Sequence, residues 1–349
     1  MWNRRSGALS PNGWRPMAEF EVPHPRAVFQ LQGQEAAEAS FEDARARERL
    51  HHAWLLTGPE GVGKATFAYR AARRLLGAPV DPDYGVLGSN PEHPISRQVA
   101  ARSHPDIMVL EREGPDGKPR RIIPVDDARK LSEFFSKSPA SAPHRVAIID
   151  AADDLNPNAA NAILKTLEEP PPRGVLLMVS HAPGRLLPTV RSRCRRLAFR
   201  PLNLEVTADF VRDRTDVDAD DALRLARMAE GAPGRALVLA AAKALTMDDA
   251  ARDILESLPQ VDDTRALSLA ESFRGGEGAA RFALLFERLS DRVHGFATDQ
   301  AGQGAGGLDR WAAAWETLQR LPREVEGLNM DRADAFFTAL ADLRRAAQA

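Results

Sequence analysis

Cysteine occurs once in the 349 residues, at Cys194, and tyrosine only twice. A single thiol excludes an internal disulfide framework and any cysteine-rich zinc site, so no zinc is expected, and it points to a reducing compartment, the cytoplasm. No apolar run approaches the roughly 18–20 residues needed to span a bilayer, so no membrane association is expected. Charge of neither sign dominates: 47 Lys and Arg stand against 49 Asp and Glu, a formal net charge of −2. The global basic excess of a strong stand-alone nucleic-acid binder is therefore missing. What is present is the composition of a globular protein, 44% hydrophobic and 28% charged, in a chain long enough for two or three domains.

The stretch from Leu55 to Thr66, LLTGPEGVGKAT, is an apolar strand running into a glycine-rich turn and then a helix. Gly58, Gly61, Gly63 and Lys64 lie in the pattern of a phosphate-binding loop, G-x-x-x-x-G-K-[ST]. Glycines there let backbone N–H groups wrap a polyphosphate, the helix N-terminus adds positive potential, and the lysine reaches the outer phosphates. The eighth position is Ala65, which lacks the hydroxyl that ligates magnesium. Thr66 sits one residue late, roughly 100° further round a helix. The alternative is a strand-to-helix turn with no ligand. About 85 residues on, Asp150 ends the apolar run Arg145–Asp150. That is the place of the acid that holds magnesium through water in P-loop ATPases, although a strand-end carboxylate can also simply cap a turn. Hydrolysing members of the ring-forming class carry a glutamate next; here the residue is Ala151.

Strands expected from Leu55 into the loop and near 106–110, 145–150, 174–180 and 196–199 alternate with helices near 33–48, 65–76 and 158–168, and with a strand end and helix over 122–136. Several are continuous apolar runs, the mark of strands buried on both faces of a parallel sheet. Residues 77–103, rich in Pro, Gly and Asp, read as an irregular excursion, and 113–118 as a polar turn. Beyond Pro201 the strand pattern gives way to helices near 206–214, 219–230 and 234–244. Further helical stripes follow: Phe282, Leu285, Phe286, Leu289, Val293 and Phe296, then, after the glycine-rich linker 302–307, Trp311, Trp315, Leu318 and Leu321. These stripes read as a helical core. Four regions are expected: a disordered extension over 1–24, with Met17 as an alternative start; an α/β domain over 25–200; a small helical lid over 201–245; and an all-α domain over 246–349.

Three longer runs carry a resemblance. HRVAIIDAAD from His144, AANAILKTLEEPP ending at Pro171, and LLPTVRSRC ending at Cys194 are similar to the bacterial clamp-loader family of AAA+ proteins. Those proteins place a ring-shaped sliding clamp on primed DNA for the replicative polymerase, DNA polymerase III. The match runs from about Gly33 to Leu237. It implies an α/β P-loop AAA+ domain followed by a lid and a helical C-terminal domain that joins other subunits in a collar. It also assigns Arg193, in Ser192-Arg193-Cys194, as the arginine finger that reaches a neighbour's ATP site, with a surface arginine beside Arg191, Arg195 and Arg196 as the alternative. Arg235, in Gly231-Ala-Pro-Gly-Arg235, matches the second sensor on the lid; Ser180 and His181 fall at the first sensor, His181 being an unusual residue there. Cys194 is expected to be a small buried residue.

The family's motor subunits carry Gly-Lys-[Ser/Thr], a later Asp-Glu and a four-cysteine zinc module. This chain has Lys64-Ala65, Asp150-Ala151 and no cysteine between 77 and 103, yet keeps the finger triplet. The combination resembles a loader subunit that donates a finger while hydrolysing little or no ATP, with an active ATPase motor as the alternative. ATP or ADP is either held without turnover or not held, leaving the loop a scaffold, and magnesium has lost a ligand. The implied partners are the motor and clamp-opening subunits, the sliding clamp and primer-template DNA.

Overall fold

The computed structural model describes residues 22–112, 120–302 and 307–348. Most of the extension expected over 1–24, the polar turn at 113–118 and most of the linker at 302–307 lie outside those residues, while His24, at the end of that extension, is ordered and caps the turn Pro25–Ala27. The strands are β1 (Ala53–Thr57), β2 (Ile107–Glu111), β3 (Arg145–Asp150), β4 (Gly174–Ser180) and β5 (Arg195–Ala198). They form one sheet in the order β2-β3-β4-β1-β5, and every pairing is parallel. Helices α1 (Glu35–Ala46), α2 (Lys64–Leu75), α3 (Pro94–Ala100), α4 (Val125–Ser136), α5 (Pro157–Glu168) and the short α6 (Pro188–Arg191) connect and flank the strands.

The three inner strands β3, β4 and β1 are almost wholly buried and mostly apolar because both faces of the sheet are covered there, whereas the edge strand β5 buries only Leu197. Trp54, Leu56, Val146, Ile148, Leu177 and Val179 share one core with Phe41 of α1 and Phe67 and Leu75 of α2. Their neighbours in sequence, Leu55, Ala147, Ile149, Leu176 and Met178, point the other way into a second core with Leu131 and Phe135 of α4 and Ile163 and Leu167 of α5. Each Val, Leu, Ile, Phe or Met side chain among them contributes about 1.5–3 kcal/mol on burial. Helix α5 starts where the Asn156 side chain accepts from the Ala159 N–H at 2.8 Å and Pro157 takes the first helical position. It stops ahead of Pro170, which cannot continue a helix. The excursion over 77–103 contains more order than its composition suggests. Its helix α3 is capped by the His93 side chain and buries Ser96 and Val99.

Beyond Pro201 come α7 (Leu204–Arg212), α8 (Ala219–Met228) and α9 (Pro233–Ala241). The chain divides into two compact units, one ending at Leu237 and one starting at Val238, so the division falls within α9. The second unit holds α10 (Ala244–Glu256), α11 (Asp263–Glu271), α12 (Gly278–Gly302), α13 (Leu308–Leu328) and α14 (Arg332–Ala347). Phe282, Leu285, Phe286, Leu289 and Val293 of α12, and Leu318 and Leu321 of α13, are buried as their spacing implies. The same stripes also reach the surface: Phe296 is 43% exposed and Trp315 36%.

Candidate functional site

The sheet's carboxyl edge collects the loop residues. From the end of β1 the chain turns through Gly58, Gly61 and Gly63 into α2, whose first residue is Lys64. Gly58 adopts φ +150°, and a Cβ there would lie 2.4 Å from the Phe199 carbonyl oxygen. Gly61, at φ +79°, is the tighter case: a Cβ would come within 2.3 Å of the Arg235 backbone nitrogen. The start of α9 rests on the loop at this point, with the Gly234 N–H donating to the Gly61 carbonyl at 2.8 Å. From the other side Gln34 donates to the Val62 carbonyl at 3.4 Å and to the Arg200 carbonyl at 2.7 Å. Further along α2, Arg70 is buried against Glu38 at 2.7 Å. The loop itself is packed against Phe199, the start of α9 and Gln34.

Lys64 is buried, and its Nζ donates to the Gly58 carbonyl at 2.6 Å and to the Pro59 carbonyl. Burial lowers its pKa to about 8, opposed by the charges of Asp150, Glu60 and Asp153. Asp150 ends β3 directly opposite Glu111 of β2 in the parallel register. Burial first, then the neighbouring Glu111 carboxylate, raises the Asp150 pKa to about 6, against the opposing pull of His24 and Lys64. Residue 151 is buried and apolar.

The acid that organises the adjoining turn is Asp153. Its carboxylate accepts from the Ser180 hydroxyl at 3.1 Å, the His181 N–H at 2.7 Å and the Ala182 N–H at 3.0 Å. Partial desolvation of the His181 ring, then the Lys64 charge, lowers the pKa of that imidazole, which leaves it neutral at pH 7. Nothing in the spacing of Asp153 singles it out, because its partners lie 27 to 29 residues away.

Gly58, Gly61, Gly63, Lys64, Ala65, Thr66, Asp150 and Arg235 are therefore brought to one edge. The donor set there does not fit a magnesium centre: Ala65 has no hydroxyl, Thr66 is displaced round the helix, and Ala151 offers no base beside Asp150. The loop does keep its glycines, its lysine and its helix N-terminus.

Arg193 is not part of this group. It lies between α6 and β5, and the parallel register pairs Trp54 with Arg195 and Thr57 with Ala198. Arg193 therefore sits beyond the amino end of the strand whose carboxyl end feeds the loop. Its guanidinium contacts Glu168 at 2.9 Å and donates to the Thr189 carbonyl at 3.0 Å. The other arginines of the run are engaged differently: Arg195 stacks over Trp54 at 4.8 Å, and Arg196 donates to the Thr57 hydroxyl at 3.0 Å. Cys194, expected to be buried, is half-buried against the second core, 3.9 Å from the Met178 sulfur, and the burial it has raises its thiol pKa to about 12.

Residues 33–203 match the family model described as DNA polymerase III, delta subunit. The delta-prime subunit of Pseudomonas aeruginosa DNA polymerase III is 40% identical over 158 residues, 45% of this chain and 45% of that one. The delta-prime subunit of Bacillus subtilis is 31% identical over 184 residues, 52% of each chain. This part of the chain is related to the clamp-loader delta-prime subunit. A gamma/tau subunit of Mycobacterium tuberculosis is 30% identical over 212 residues, 59% of this chain and 35% of that one, which extends the kinship to other subunits of the same polymerase. The chain spans about half the length, or less, of these curated relatives. The delta-prime-like stretch holds every loop residue, Asp150 and Arg193, while Arg235 and the second unit lie beyond the family model's match. Among the described residues no helix is long and apolar enough to cross a membrane.

Proposed function

We propose that the chain is the finger-donating stator of a clamp loader. In this reading it assembles with motor and clamp-opening subunits, and Arg193 completes the ATP site of a neighbouring motor subunit. The assembly loads the sliding clamp on primer-template DNA during replication, and the chain's own loop turns over little or no ATP. DNA is met in the assembled complex through its phosphates and without sequence preference.

The observation that carries the proposal is the opposed placement of loop and finger. Four strand residues separate the level of Trp54 from Gly58, roughly 13 Å of advance along a strand, and Arg193 lies further still from the loop. Its guanidinium therefore does not serve its own Lys64. Acting in trans, it places positive charge against the γ-phosphate as negative charge builds up, which makes hydrolysis in the neighbour depend on assembly. The loop's contacts support a scaffold role: Lys64 is engaged by loop carbonyls, and α9 is bonded to Gly61. Magnesium-dependent ATP turnover by the purified chain tests the non-hydrolysing half of the proposal. The expected rate is background for both wild type and Lys64→Ala; turnover that is abolished by Lys64→Ala would make the chain a motor.

A further inference from the structure

Arg193 does not project freely. Its Nη2 lies 2.9 Å from Oε1 of Glu168, the last residue of α5, and its Nη1 donates to the Thr189 carbonyl of α6 at 3.0 Å. A carboxylate at that position has an electrostatic consequence. It neutralises the finger's charge within its own chain, and it would repel a polyphosphate brought close beside it.

Resting on the reading of Arg193 as a trans finger, we propose that Glu168 is a latch for it. Glu168 is a positioning residue that holds the guanidinium in cis until a nucleoside triphosphate on an adjacent subunit competes for the same donors. The competitor is the terminal phosphate, which carries more charge than a carboxylate and offers three oxygens to the planar fork of an arginine. The partners are 35% and 49% exposed. Exposed pairs of this kind are weak and screened by salt, so the latch biases the arginine without trapping it. Formation of the subunit interface excludes water, strengthens the arginine–phosphate contact and leaves Glu168 unpaired at the edge of the site. Incomplete closure gains less from Arg193, because the carboxylate still competes for it. The latch thereby couples the finger to full assembly and suppresses hydrolysis before clamp and DNA have closed the complex.

The test uses the loader reconstituted with Glu168→Gln, Arg193→Ala or both in this chain. ATP hydrolysis is read with and without clamp and primed DNA, at low and high salt. Gln keeps the shape and a hydrogen-bond acceptor but removes the charge. The expected result for Glu168→Gln at low salt is an unstimulated rate raised roughly two- to fivefold, the range exposed ion pairs support. The stimulated rate stays within about twofold of wild type, the difference in unstimulated rate fades at high salt, and the double variant falls to the level of Arg193→Ala. A merely structural role for Glu168 would not produce a salt-dependent gain. An unstimulated rate equal to wild type at low salt, or a stimulated loss as deep as that of Arg193→Ala, overturns the latch while leaving the finger in place. An Arg193→Ala variant with wild-type turnover removes the finger itself, whatever Glu168→Gln does.

Discussion

Asp150 and Lys64 are held where burial opposes their charged forms, and this makes a pH-dependent signature. The Asp150 pKa of about 6 in the folded chain lies above the roughly 3.9 of an unfolded aspartate. The folded state therefore binds the extra proton between about pH 4 and 6. Its stabilising effect is complete below the unfolded value and is lost as pH rises through the folded one, a loss of about 2–3 kcal/mol at most. Asp150→Asn removes this titration. Hydrogen exchange of the β3 and β4 amides should show the variant gaining on wild type by about 1–3 kcal/mol between pH 4 and pH 7; parallel pH curves would contradict the assignment. The Asp153 carboxylate has a structural part, accepting from three donors around Ser180–Ala182. Asp153→Ala is expected to lower the protection of those amides and to destabilise the first unit by about 2–4 kcal/mol, the cost of charged hydrogen bonds lost with donors left unpaired.

At this scale the sequence discloses what is local. The loop glycines, Lys64, Ala65 and Asp150 stand in one motif or at a strand end, and the structure gathers them at one edge with Arg235. Asp153 and Glu168 were not legible as contacts, because each is defined by a partner far along the chain that only the tertiary fold brings near.

At the scale of elements, β1, β3 and β4 were readable because burial on both faces leaves no polar alternation to confuse them, and the end of α5 because Pro170 stops it. Helix α3 was hidden by its seven residues and its Pro-rich surroundings. The stripes on α12 and α13 identify helices correctly but do not separate core from surface. Phe336 of α14 is fully buried, in edge contact with Phe273 at 5.5 Å, while Phe296 is 43% exposed. Phe336→Ala should therefore cost about 3–5 kcal/mol in the second unit, and Phe296→Ala less than about 1 kcal/mol, as read by thermal unfolding. The contact of α9 with the loop has its own probe. Gly61→Ala places a methyl against the Arg235 backbone at a positive φ, whereas Gly184→Ala meets nothing within 4 Å. The first should lower the melting temperature by several degrees and the second by less than about 2 °C, in keeping with a difference of roughly 1–3 kcal/mol. Equal shifts would mean that the start of α9 does not rest on the loop.

At the scale of the whole molecule, the decisive relation is the distance between loop and finger, which follows from the β1–β5 register and could not be read from spacing alone. Arg193 is only 129 positions after Lys64 in the chain, yet it stands at the other end of the sheet. On the proposed reading, that arrangement gives a reason for an arginine in a chain whose own loop lacks the hydroxyl and the base: it would serve the ATP site of a neighbour. The most direct test is clamp- and primed-DNA-stimulated ATP hydrolysis by the reconstituted loader carrying Arg193→Ala or Lys64→Ala in this chain. The expected result is a partial loss of total turnover with Arg193→Ala, reflecting a fall on the order of 10³-fold or more at the one ATP site it completes, and near wild-type turnover with Lys64→Ala. The reverse pattern, turnover lost with Lys64→Ala and kept with Arg193→Ala, would contradict the stator role and make this chain a motor.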